Sequence, residues 1–207
     1  STLVHTRPAD AFGDAAPSGV VDPEVAREWA DMTEAERREV LEQMARDLAE
    51  RYGLDDVDVV IEDLEDRDGD GVDDEPGLDS HGYWSDDDRS LHLDANELDD
   101  PEQIINTMAH EVRHGIQHEM VRDNDPNAWD DFWIGVGVTD DPWDPPAGIT
   151  REDAERWAEN FEDYQRPEDD FDAYYDQPVE VDAREAGEDY VDELTVEDLR
   201  RHREAVR

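Results

Sequence analysis

The chain has 207 residues, 63 of them Asp or Glu against 18 basic residues, and a formal charge of −45 at pH 7. Every basic residue is Arg and there is no Cys, which excludes disulfides, thiolate ligands and a cysteine nucleophile, while a polyanion such as nucleic acid is repelled. No apolar run approaches the ~18 residues of a membrane span, and the start, Ser1-Thr2-Leu3-Val4-His5, has no signal-peptide core.

A cleaved signal leaves no trace, so cytoplasm is the default location, with an extracellular or virion-associated protein as the alternatives. The acidic residues are spread along the whole length and interleaved with Trp, Leu, Ile and Val. Six Trp, six Tyr and four Phe argue against an acidic disordered chain, despite a mean hydropathy of −1.00. Self-repulsion on this scale destabilises a compact domain in dilute buffer, whereas molar salt shortens the Debye length to about 3 Å and screens it. The composition resembles that of halophilic proteins, which implies a haloarchaeon or one of its viruses as the source.

Residues 1 to about 20, with Pro8, Gly13, Pro17 and Gly19, read as an extended arm that offers a contact to a protein partner. Residues 21–207 read as one domain. Asp22 to Met32 and Thr33 to Tyr52 are predicted helices, the second opened by a Thr33–Glu36 capping box and closed at Gly53. Val57 to Leu64 and the segments around Tyr83 and Leu91 are predicted strands of a small twisted sheet.

Between the first two strands, Asp66, Asp68, Asp70 and Asp74 occupy the first, third, fifth and ninth positions of a calcium loop, with Gly71 sixth and the Val72 carbonyl seventh. The loop resembles those of EF-hand, dockerin and thrombospondin type 3 repeats, although Gly77 stands where an EF-hand has its bidentate Glu. Glu75 or Asp79 would complete the shell. A bound Ca²⁺ would staple this loop between strands; the alternative is an acidic, glycine-rich hairpin loop.

Pro101 to about Met120 reads as the buried helix of the chain, with Ile104, Ile105, Met108, Ala109, Val112 and Ile116 forming one apolar stripe. Within it, His110-Glu111-Val112-Arg113-His114 is an HExxH motif. Histidines four residues apart lie about 40° apart around a helix axis. Both imidazoles therefore reach one zinc ion, and Glu111 reaches water held there.

Asn124 to Gly148, with Trp129, Trp133 and Trp143, is irregular and reads as a substrate-recognising lid or as core-covering aromatics. Thr150 caps a helix to about Gln165, and Thr195 caps Val196 to about Ala205. Between these, Pro178 opens a helix on which Glu180, Ala183 and Arg184 share a face, making Glu180 the favoured third ligand over Asp182, Glu185 and Glu188. Tyr174, Tyr175 and Arg184 lie close enough in sequence to Glu180 to be candidates for stabilising an oxyanion, with aromatic core packing as the alternative for either tyrosine.

These segments resemble the minimal gluzincin-type zincin metallopeptidases, with a pattern like T-x-x-HE-x-x-H-x-x-Q followed by P-x-E-x-x-A-R. The matching residues are Thr107, His110, Glu111, His114, Gln117, Pro178, Glu180, Ala183 and Arg184, preceded by the strand Leu91-His92-Leu93. The resemblance spans about residues 55–192 and implies an α+β, zincin-like fold. It also implies Zn²⁺ held by His110, His114 and Glu180, with Glu111 as general base of peptide hydrolysis. The interval between His114 and Glu180 is longer than in compact members. A metzincin needs Gly and His where this chain has Gln117 and Met120, and His118 lies about 12 Å along the axis from His110. His81 and His92 are cleft-lining or core-edge residues. Zincin clefts are commonly bordered by a strand edge that takes extended substrate, and Arg89 to Asp94 is the segment expected there. The expected partner is a peptide or protein substrate, and the alternative function is a non-catalytic interaction or virion component on the same scaffold.

Overall fold

The computed structural model describes residues 19–64, 81–124, 145–146, 148–167 and 169–207. The helices of this chain are started by side-chain oxygens. Asp22 caps α1 (Pro23–Ala30), Thr33 caps α2 (Glu34–Arg51) and Asp100 caps α3 (Pro101–Asp123). Thr150 caps α4 (Arg151–Glu162), Asp170 caps α5 (Phe171–Asp176) and Thr195 caps α7 (Val196–Ala205). Each accepts from a backbone N–H that the first turn leaves without an intrahelical partner. Among the described helices only α6 (Pro178–Glu193) lacks such a bond, and it begins with Pro178, which has no N–H to satisfy.

Three short strands, β1 (Asp58–Glu62), β2 (Gly82–Ser85) and β3 (Ser90–Asp94), form one sheet in the order β1-β3-β2. Together with the seven helices they make an α+β arrangement among the described residues. β3 runs parallel to β1, with Val60 opposite His92, and antiparallel to β2, with Tyr83 opposite His92. The expectation for Arg89 to Asp94 is thereby corrected: a tight turn at Asp86–Arg89 folds β2 back beside β3, so both sides of β3 are occupied. The strand edge at the site is β2.

α3 runs through the middle of the molecule, packed on β2 and β3 and against α2, α4 and α6. Its predicted apolar stripe is buried throughout. The α3–α6 packing is the most extensive helix contact, and small residues permit it: a Cβ at Gly187 would stand 2.9 Å from Asn106 Oδ1, closer than carbon and oxygen tolerate. α7 lies outside this layer, against α1 and α2, where Arg203 bridges Glu28 and Glu36. The short α5 has no counterpart in the sequence reading. No helix among the described residues is long and apolar enough to cross a membrane.

The calcium-loop residues Asp66, Asp68, Asp70, Gly71, Val72 and Asp74, and nearly all of the arm and of the 124–148 segment, lie outside the described residues.

Candidate metal centre

α3 and α6 bring His110, His114 and Glu180 to one point. His110 Nε2 and His114 Nε2 are 3.1 Å apart, and each is 3.5 Å from a Glu180 oxygen, Oε2 for His110 and Oε1 for His114. The edges of a tetrahedron with ligand distances of about 2.0–2.1 Å are about 3.3 Å, so the three atoms are spaced like three of its corners. Two imidazoles and a carboxylate suit zinc or a similar transition ion better than calcium or magnesium, which take all-oxygen shells. Glu111 Oε1 lies 4.0 Å from His110 Nε2, beside the ligands and not among them. Among the described residues this is the one group of His and carboxylate side chains arranged to hold a metal ion.

The electrostatics fit a cation. Glu180 is 1 % exposed and Glu111 5 %, so two buried carboxylates share one site. Burial opposes a charged His114 imidazole, but the Glu180 carboxylate beside it, with smaller help from Glu111 and Gln117, holds its pKa up to about 10. Burial likewise opposes the Glu180 charge, and His114 and His110 hold that carboxyl well below its usual range. Without metal the charge balance thus falls to a proton on His114, and a dication would take over that role.

The supporting shell is built from the same two helices. Gln117 donates through Nε2 to the Val179 carbonyl at 2.9 Å and to Asp182 Oδ2 at 2.6 Å. That orientation leaves its Oε1 to accept from His114 Nδ1 at 2.9 Å, so Nδ1 carries the hydrogen and Nε2 is turned to the metal position. Asp182 is also gripped by Arg113 through two bonds of 2.8 and 3.0 Å. It is occupied away from the histidines, and Glu185 is exposed, so Glu180 is the carboxylate that the fold delivers.

Two tyrosines bracket Glu180. Tyr174 donates its hydroxyl to Oε2 at 3.0 Å and Tyr164 donates to Oε1 at 2.7 Å. Burial and the neighbouring Glu180 push both phenols upward, so both remain protonated donors. Tyr174 is buried on α5, whereas Tyr164, just after α4, is 40 % exposed. Tyr164 is not foreseen in the sequence, since only chain folding between α4 and α5 brings it to Glu180. Tyr175 and Arg184 stack on one another, guanidinium carbon 3.6 Å from the ring centroid, and neither lines the cleft beside the metal position.

That cleft, of about 700 Å³, is bordered by β2 on one side and reaches Glu111, His114, Tyr164 and Glu180. His118 stands on its wall, stacked on Phe161 with Nδ1 3.8 Å from Asp86, and is not a ligand. His81 pairs with Glu97, and His92 sits between Glu62, Ser90 and the Tyr83 ring. The chain matches no known protein family, no curated protein and no solved structure.

Proposed function

We propose that this chain is a zinc-dependent peptidase with a zincin-like fold. The observation that carries the reading is the convergence of His110, His114 and Glu180 from two packed helices, with Glu111 beside them and a cleft opening onto the group. His110, His114 and Glu180 would hold the ion. When bound there, zinc supplies a Lewis acid that polarises the scissile carbonyl and brings the pKa of water near neutrality.

The residues of the chain divide the remaining work. Glu111 accepts the proton of the attacking water and returns it to the departing amine, as general base and then general acid. Its burial in the cleft floor keeps it close to the reacting atoms and away from bulk solvent. Tyr164 turns its hydroxyl from Glu180 to the carbonyl oxygen as negative charge develops, which the protonated phenol is suited to do. Tyr174, buried, stays on Glu180 and fixes the carboxylate. A cleft running alongside β2 suits an extended chain.

The test is metal content by elemental analysis on protein purified in high salt without added metal. Wild type is expected to carry one zinc per chain and Glu180→Ala much less. Glu111→Gln is expected to keep its zinc and to lose peptide hydrolysis by about 10²–10⁴-fold or more. An unchanged hydrolysis rate in Glu111→Gln removes the mechanism, and a zinc-loaded wild type that cleaves no peptide favours an interaction protein on the same scaffold.

A further inference from the structure

The walls of the cleft differ in kind from the rest of the molecule. Acidic residues hold 63 of 207 positions. Yet among the eleven described residues that line the cleft the only carboxylates are Glu111 and Glu180, both belonging to the metal centre. Five of the eleven are Tyr, Trp or Phe, in a chain that is 8 % aromatic.

Two of these aromatics, Tyr164 and Tyr174, are engaged with Glu180. Others gather one turn of α3 beyond His114, about 6 Å along the helix axis. There the His118 ring lies flat on Phe161 of α4, centroids 4.1 Å apart and planes 11° apart. Facing them from β2, Trp84 is laid against the α3 backbone at Gly115: a Cβ at that position would stand 2.9 Å from indole Cε2 and Cζ2. Trp84 Nε1 donates to Asp86 at 3.4 Å. Asp86, whose Oδ2 is also 3.8 Å from His118 Nδ1, is neutralised by Arg122 through two bonds of 2.9 and 2.7 Å. Among the described residues, this part of the cleft therefore offers aromatic faces and no carboxylate without a basic partner.

Resting on the peptidase reading, we propose that the site selects peptides carrying an aromatic or large aliphatic side chain next to the bond that is cut, seated between Trp84 and the His118–Phe161 pair. A neighbouring residue is about 3.8 Å along the substrate backbone, so its side chain spans the interval between the metal position and this patch. An acidic side chain meets the negative field of the whole molecule, and a basic one finds no free carboxylate among the described residues of the patch. Apolar contact also keeps its strength in concentrated salt, where ion pairing is screened.

The experiment uses quenched fluorogenic peptides in molar KCl, with Phe, Leu, Ala, Asp or Arg at each position flanking the scissile bond. kcat/KM for Phe is expected to exceed that for Ala by about tenfold or more, with Asp and Arg below Ala. Phe161→Ala should lower the Phe-to-Ala ratio several-fold, and Phe161→Leu, which retains an apolar filler, should lower it less. A flat profile, a preference for a charged residue, or a ratio unchanged in both folded variants overturns the proposal. Calorimetric titration of zinc-loaded Glu111→Gln with the Phe and Ala peptides separates the two levels. Preferential binding of the Phe peptide without hydrolysis by wild type sinks the peptidase reading and leaves the aromatic subsite standing. Equal binding, or none, sinks the subsite.

Discussion

Replacing Gln117 with Met conserves volume at a fully buried position and removes the hydrogen bonds that join His114 to α6. Asp182 retains both bonds from Arg113, and the Val179 carbonyl lies inside the first turn of α6, so neither is stranded. The His114 Nδ1 hydrogen is left without its acceptor. One stranded buried donor costs about 1–3 kcal/mol in stability. The effect on metal is separate. An outer-shell partner of a ligating histidine is worth about 10–100-fold in affinity, or about 1.4–2.7 kcal/mol.

Gln117→Glu separates acceptor from donor. It keeps an oxygen for His114 Nδ1 but loses both donated bonds and places a second carboxylate beside Asp182. Zinc affinity should then stay near wild type while stability falls. The assay is competition with a chromophoric chelator in molar KCl, alongside denaturant midpoints of the metal-free proteins. Equal loss of zinc in the Met and Glu variants refutes the orienting role and leaves Gln117 as a tie between helices. Unchanged affinity in Gln117→Met does the same.

The −45 charge predicts that the unfolding midpoint rises steeply with KCl, since screening lengths fall from about 10 Å at 0.1 M to about 3 Å at 1 M; a midpoint independent of salt refutes the self-repulsion argument. Gly115→Ala sets a helix-propensity gain of about 1 kcal/mol against overpacking of about 1–3 kcal/mol. Because the new Cβ would meet Leu54 Cδ2 at 2.8 Å as well as Trp84, destabilisation is expected, with a changed Trp emission. A stabilised variant with unaltered emission shows that Trp84 is not pinned there. At the α7 clasp, the hydrogen bond from Arg203 and then that from Arg200 depress Glu28, while the Thr33 backbone N–H and then Arg203 lower Glu36 to about 2. Folded values below the unfolded ones mean that this stability is present above an ordinary Glu pKa of about 4.3 and is lost as pH falls towards 2. Arg203→Ala should flatten the acid limb of midpoint against pH, and parallel curves for wild type and variant contradict that assignment.

What was legible in the sequence and what was not divide along the range of the interactions. The three helix-borne ligands and Glu111 depend on one regularity, the 3.6-residue turn, together with local starts at Pro101 and Pro178 that set where each turn begins. Helical phase also explains the alternatives. Asp182 is two residues from Glu180 and so about 200° around the axis, which turns it to Arg113 and Gln117. Tyr174 and Tyr175 differ by about 100°, enough for the first to reach Glu180 and the second to reach Arg184. Neither outcome needs more than the start of α5 at Asp170, a six-residue helix too short for an apolar period to reveal. Strand order is a different kind of information. β1, β2 and β3 are four or five residues each, and the order is settled by the pairing of β1 with β3, whose partners stand 32 positions apart, a distance that no local pattern encodes. The same holds for Tyr164, whose distance from Glu180 is fixed by how α4 packs on α6 and not by the residues around it. The scarcity of acids among the described residues of the cleft wall is likewise invisible in a chain where they are everywhere. Only the folded arrangement shows that, among the described residues, the two acidic ones reaching the cleft are Glu180 of the metal group and Glu111 beside it.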